Sequence, residues 1–127
     1  MHNYTEKELI QQGYEIENGF IDYVDLSMAD HGCITLAMGI SFNSGYVVYG
    51  GYCLGHGYVG AKDFVGSNKG MEYIMRIMDI LGCEKFNDIK GKYVRVAIKK
   101  RNSSIKIIGN IIKDKWFDPV SFFEEEE

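Results

Sequence analysis

The chain has 127 residues, 46% apolar and 25% charged, with a net charge of −4 at pH 7; that suits one domain burying about two-thirds of its unfolded surface and leaves too little length for two. No stretch approaches the ~18 consecutive apolar residues of a membrane helix, and the N-terminus lacks the basic-then-apolar order of a signal peptide, so a cytoplasmic protein is expected. Three widely spaced cysteines, Cys33, Cys53 and Cys83, argue against a disulfide scaffold and predict reduced thiols.

In chain order, Thr5-Glu6-Lys7-Glu8 has capping-box spacing and Gly13 a stop, which predicts a short peripheral helix within residues 1–13. Residues 20–28 alternate loosely, and the stretch from Ala29 to Gly32 reads as a turn. Residues 33–42 alternate without a break: Ile34, Leu36, Met38, Ile40 and Phe42 face one way, and Cys33, Thr35, Ala37, Gly39 and Ser41 the other. With Asn43-Ser44-Gly45 as a three-residue loop, Phe42 pairs with Tyr46, Ile40 with Val48 and Met38 with Gly50, which lays Tyr49 across Gly39 on a shallow, small-residue face. Ser67 or Asn68 caps a main helix with Met71, Ile74, Met75, Met78 and Leu81 inward, Glu72 and Arg76 one turn apart outside, and Gly82 as its stop. Val94, Val96 and Ile98 then point inward, and Tyr93, Arg95 and Lys99 outward, from a strand that pairs with residues 105–112, Trp116 and Phe117 tuck into the sheet edge, and the acidic residues 120–127 fray. The expected fold is therefore α+β: after the short helix, a β-β-β-α-β-β order gives a twisted antiparallel sheet of about five strands packed on one main helix.

Charge is uneven along the chain. Residues 90–115 carry nine basic side chains against one acid, while residues 1–89 carry five against twelve and residues 116–127 add five acids. A basic segment of this kind attracts phosphate or an acidic protein, and the acidic remainder repels extended nucleic acid.

The run from Gly45 to Gly60 interleaves six glycines with four tyrosines. Glycine permits close approach and tyrosine adds stacking area with a hydroxyl, the makings of a binding surface. The loop from Gly55 to Gly60 matches neither a Walker loop nor a dinucleotide fingerprint, but with the free amides at the start of the main helix it outlines a phosphate cradle. The ligand-binding residues expected on this basis are Tyr49, Tyr52, His56, Tyr58, Lys69 and Arg95, with Tyr93, Lys99 and Arg101 facing a partner. His31, Cys33, Cys53 and His56 show no metal-ligand spacing and no orienting third group, so no metal, no cofactor and no catalytic residue is expected.

The segments Asp30-His31-Gly32, Gly50-Gly51-Tyr52, residues 57–62, residues 70–76, residues 91–96 and residues 108–117 together resemble a small protein type encoded by bacteriophages and prophages. The resemblance spans about residues 20–118 and carries no catalytic residue with it. It implies a viral accessory protein in a bacterial host cytoplasm; together with the glycine–tyrosine surface and the lack of catalytic groups, the expectation is a non-enzymatic counter-defence protein that sequesters a nucleotide immune signal or blocks a host defence protein, and the uneven charge along the chain suits self-association into a homo-oligomer. The alternatives are a nucleic-acid-binding accessory protein of phage replication or recombination, favoured by the basic segment, and a small enzyme using His31, His56 or Cys53.

Overall fold

The structure, a computed structural model, describes residues 1–99 and 104–125. The elements are helix α1 (Glu6–Gln11), strands β1 (Glu15–Asp30), β2 (Cys33–Phe42), β3 (Gly45–Gly50), β4 (Gly55–His56) and β5 (Val65–Gly66), helix α2 (Asn68–Leu81), strands β6 (Tyr93–Ile98), β7 (Ile108–Gly109) and β8 (Trp116–Phe117), and helix α3 (Pro119–Glu124). The class is α+β as expected. Among the described residues, however, one antiparallel sheet holds eight strands where about five were predicted, in the order β5-β4-β2-β1-β6-β7-β8 with β3 also on β2. Four of these strands are two residues long, too short for alternation to announce. The 16-residue β1 pairs with β2 on one side and β6 on the other, and so joins the two hairpins read from the sequence into one sheet.

One face of the sheet packs Ile21, Leu36, Met38, Ile40, Tyr49, Val94 and Val96 against Tyr73, Ile77, Ile80 and Leu81 of α2 and Phe122 of α3. Ala97 and Trp116, each the immediate neighbour of a residue on that side, belong to a second cluster with Ile107 around the fully buried Leu9 of α1. Alternation places that cluster on the opposite face.

The boundaries of α2 follow the sequence: Ser67 Oγ accepts from the Gly70 amide at 2.7 Å, and Gly82 ends the helix at φ +70°. Its buried stripe does so only in part. Tyr73, Ile77, Ile80 and Leu81 are inside, Ile74 and Met78 lie at the margin, and Met71 and Met75 are exposed. Gly70 abuts the Leu54 carbonyl so closely that a Cβ has no room. That contact rolls the line through residues 70, 73, 77 and 80 onto the sheet.

The β2–β3 register also departs from expectation. Phe42 pairs with Gly45, Ser41 with Tyr46, Ile40 with Val47, Gly39 with Val48 and Met38 with Tyr49, so the turn is Asn43-Ser44 alone. Glu17 fixes it by accepting from the Ser44 amide and hydroxyl at 3.0 and 2.8 Å. A shift of one residue exchanges the two faces, and Val47 and Tyr49 turn inward while Tyr46 and Val48 turn out.

The acidic segment read as fraying forms α3 through Glu124: Asp118 caps it, Pro119 opens it, and Phe122 is fully buried beneath Lys69 and Arg76. Only Glu126 and Glu127 of that segment lie outside the described residues.

Candidate functional site

On the sheet face away from α2, cross-strand pairing lines up two rows of side chains. Tyr93, Phe20, Ser41 and Tyr46 are successive partners in one, and Tyr23, Gly39 and Val48 in the next. Phe20, Tyr23, Tyr46, Val48 and Tyr93 are all exposed, with 37 to 59% of their surface open. Asp25, opposite Ala37, extends the same side. Asp22, at an irregularity in β1, accepts from the hydroxyls of Ser41 and Tyr46, both at 3.3 Å. This holds the Tyr46 ring over Gly39, where a Cβ would overlap the Tyr46 hydroxyl. The desolvated setting and then the Asp22 charge raise the Tyr46 pKa above that of an ordinary phenol.

A small-residue face crossed by a tyrosine is thus present, but the tyrosine is Tyr46 and not Tyr49. At one end, Asn18, Gly19, Phe20, Ser41, Phe42, Asn43 and Tyr93 enclose a depression of about 230 Å³. That is below the ~300–1,000 Å³ of small-molecule sites. It has room for one protruding side chain of a partner.

The sequence-predicted ligand residues do not converge. Tyr49 is buried and donates to the Lys106 carbonyl at 2.9 Å; burial pushes its phenol far up. Tyr52 is half-buried against Tyr73 and Phe123. Lys69 donates to the Phe122 carbonyl at 3.0 Å and pairs with Glu125, so the phosphate cradle loses its cation to α3. Arg95 points away from the main core as predicted, yet it is enclosed: it donates to the carbonyls of Asn110 and Lys113, pairs with Glu6 and lies 4.6 Å from the Trp116 ring. Tyr58 and His56 stay exposed near β4, whereas Tyr93 belongs to the aromatic face. Lys99 reaches over the Tyr14 ring at 4.9 Å, and Arg101 lies outside the described residues.

The glycine run builds something else. Gly50 and Gly51 adopt φ of +107° and +85°, and Gly50 leaves no space for a Cβ beside the Leu36 carbonyl. The chain turns there yet stays on β2, with amide-to-carbonyl bonds from Gly51 to Leu36, Leu54 to Ile34 and Gly57 to Gly32 at 3.1, 2.8 and 2.8 Å. This path brings Cys53 back to Cys33 and sets His56 directly opposite Cys33.

The structure joins Cys33 and Cys53 in a disulfide with Cα atoms 5.2 Å apart, which corrects the expectation of reduced thiols for this pair. The expectation rests on the odd count and wide spacing of the cysteines, whereas sheet topology brings together two that are 20 residues apart. Cys83 is the free, buried cysteine, its thiol pushed up mainly by burial. His56 Nδ1 stands 4.0 Å from Cys33 Sγ and 3.9 Å from Cys53 Sγ. Among the described residues this is the one cluster of at least three thiol, imidazole or carboxylate groups at metal-binding distances. His31, exposed in the two-residue turn at φ +49°, is outside it.

No protein-family model, curated protein or solved structure matches the chain.

Proposed function

We propose that this chain is a non-enzymatic binding protein that works by covering a basic surface of another protein with its aromatic sheet face, in keeping with the phage counter-defence role implied by the sequence resemblance. The observation that carries the reading is the pair of rows centred on Phe20, Tyr23, Tyr46 and Tyr93. Exposed aromatic side chains held on a rigid sheet are the groups that dominate interface energies. Two of the four, Phe20 and Tyr23, stand on β1, which contains five acids, Asp22 and Asp25 beside the rows among them, and no lysine or arginine. Charge of that sign speeds encounter with a basic partner and disfavours a phosphate-bearing one.

The same geometry weighs against nucleotide sequestration, because Lys69 and Arg95 spend their charge inside the fold and the depression is small. It also weakens the nucleic-acid alternative, since Arg95 and Lys115 of the basic segment are ion-paired to Glu6 and Asp79.

A photo-crosslinking amino acid placed at Tyr23 or Val48, compared with one at exposed Val59 outside the face, tests the reading in bacteria carrying the protein. A discrete protein adduct from the face positions, removed by the double variant Phe20→Ser/Tyr93→Ser, is the expected outcome. Equal labelling from Val59 would refute it.

A further inference from the structure

The Cys33–Cys53–His56 cluster lies apart from the aromatic rows and has no role in the binding just proposed. We propose that in the reduced protein these three residues form a site for a thiophilic metal ion of the zinc class, and that oxidation to the Cys33–Cys53 disulfide closes it.

The argument begins with the backbone. Cys33 and His56 are paired directly across β2 and β4, so their side chains share a side of the ladder, and the Gly50–Gly51 turn delivers Cys53 to the same place. The three ligand atoms all fall within 4.8 Å of one another. Zinc–sulfur and zinc–nitrogen bonds of about 2.3 and 2.0–2.1 Å at a tetrahedral angle put sulfur and nitrogen about 3.6 Å apart. The Nδ1-to-sulfur distances of 4.0 and 3.9 Å are within a few tenths of that.

Two thiolates and one imidazole are the ligand chemistry that selects zinc and its soft neighbours over magnesium or calcium. Cys33 is half-buried, while Cys53 and His56 have exposed side chains, which leaves a fourth position for water or a partner's donor. The sulfurs need only rotate apart about their Cβ atoms. In the reduced state the Gly55 carbonyl, 3.2 Å from Cys53 Sγ, accepts from that thiol when no metal is bound.

Closure is a thiol–disulfide exchange with a small-molecule disulfide as oxidant. One cysteine thiolate attacks a sulfur of the oxidant, breaking its S–S bond and expelling one thiolate; the second cysteine thiolate then attacks the mixed disulfide and expels the other. The oxidant gains two electrons, the protein loses two thiol protons, and neither protein sulfur keeps the thiolate charge a metal requires.

The test uses the full chain carrying Cys83→Ser, so that the thiols at issue are Cys33 and Cys53, with Co(II) and then Zn(II) as probes. Reduced protein is expected to take up one equivalent of Co(II) with a thiolate-to-cobalt charge-transfer band and tetrahedral d–d bands, both displaced by Zn(II). Protein oxidised with a small-molecule disulfide is expected to show neither band. Cys33→Ser or Cys53→Ser should remove the charge-transfer band or cut its intensity by half, and His56→Ala should weaken Co(II) binding by at least tenfold. Titration of the reduced chain with all three ligands present, its fold checked by circular dichroism, decides the matter even if a cysteine variant fails to fold. No charge-transfer band there, or one that survives unchanged in Cys33→Ser, would overturn the site; binding indifferent to His56→Ala would overturn the assignment of the third ligand.

Discussion

Tyr49 and Val48 are adjacent, yet the observed register gives them opposite fates. Tyr49 is 2% exposed, packs in the main core and donates to the Lys106 carbonyl, whereas Val48 is 59% exposed. Tyr49→Ala removes a buried aromatic ring and leaves a cavity, which costs about 3–5 kcal/mol. For a chain of this size that is about 10–20 °C in Tm, a large share of a total stability of about 5–15 kcal/mol. Tyr49→Phe keeps the ring, loses the hydroxyl and leaves the carbonyl without its donor, at about 0.5–1.5 kcal/mol. Val48→Thr stays within about 0.5 kcal/mol. Urea titrations at constant m value, read by circular dichroism, separate these three outcomes. The three-residue loop that the sequence suggests, pairing Phe42 with Tyr46, reverses the order. A Val48→Thr cost above that of Tyr49→Ala would therefore refute the two-residue turn and with it the composition of the aromatic face.

Phe122→Ala should cost a further about 3–5 kcal/mol in the same assay, because the ring is fully buried under Lys69 and Arg76; a shift under about 1 kcal/mol would mean that α3 is not part of the fold. Tyr73→Phe should be neutral or stabilising by about 1 kcal/mol, since the Tyr73 hydroxyl is buried with no partner among the described residues. Asp22→Asn should bring the raised Tyr46 pKa down, because removing a neighbouring negative charge favours phenolate; an NMR titration of the tyrosine ring carbons reads the direction, and an upward move would contradict the contact. A thiol reagent should find no fast-reacting thiol in the oxidised protein and two after reduction, with the buried Cys83 slow in both.

Local chemistry was legible in the sequence, and so was one long alternation. The Thr5 capping box, the Ser67 and Gly82 ends of α2, the inward set of β2 and the edge position of Trp116 and Phe117 each depend on neighbours within a few residues, and each is found. What failed depends on a third body. Glu17, 27 residues from Ser44, decides the hairpin turn and thereby which tyrosines face out. Gly70 against Leu54 decides how α2 rolls. Arg95 was rightly read as outward-pointing, but whether an outward cation meets solvent was set by α1 and the β8 edge, which arrive from the two ends of the chain.

The glycine–tyrosine run shows how a correct local reading yields a different site. Its glycines were read as room for a ligand, on the premise that a residue without Cβ marks a surface something else approaches. The approach is real at Gly50, Gly55 and Gly57, but in each case the visitor belongs to the chain itself: the Leu36 carbonyl, the Val65 carbonyl and the Phe64 ring. The tyrosines divide accordingly, Tyr49 into the core, Tyr52 against Tyr73, and Tyr46 onto the outer face. The exposed aromatic surface is therefore assembled from β1, β2, β3 and β6 together, and no one segment of sequence contains it. Its acids come from β1, whereas the basic segment supplies only Tyr93 to the rows, from β6. A partner recognised by this face must then answer to Asp22 and Asp25 and not to the lysines further along, which is why charge reversal at Asp25, with Asp22 and its bond to Tyr46 left intact, should slow association while leaving the fold unchanged.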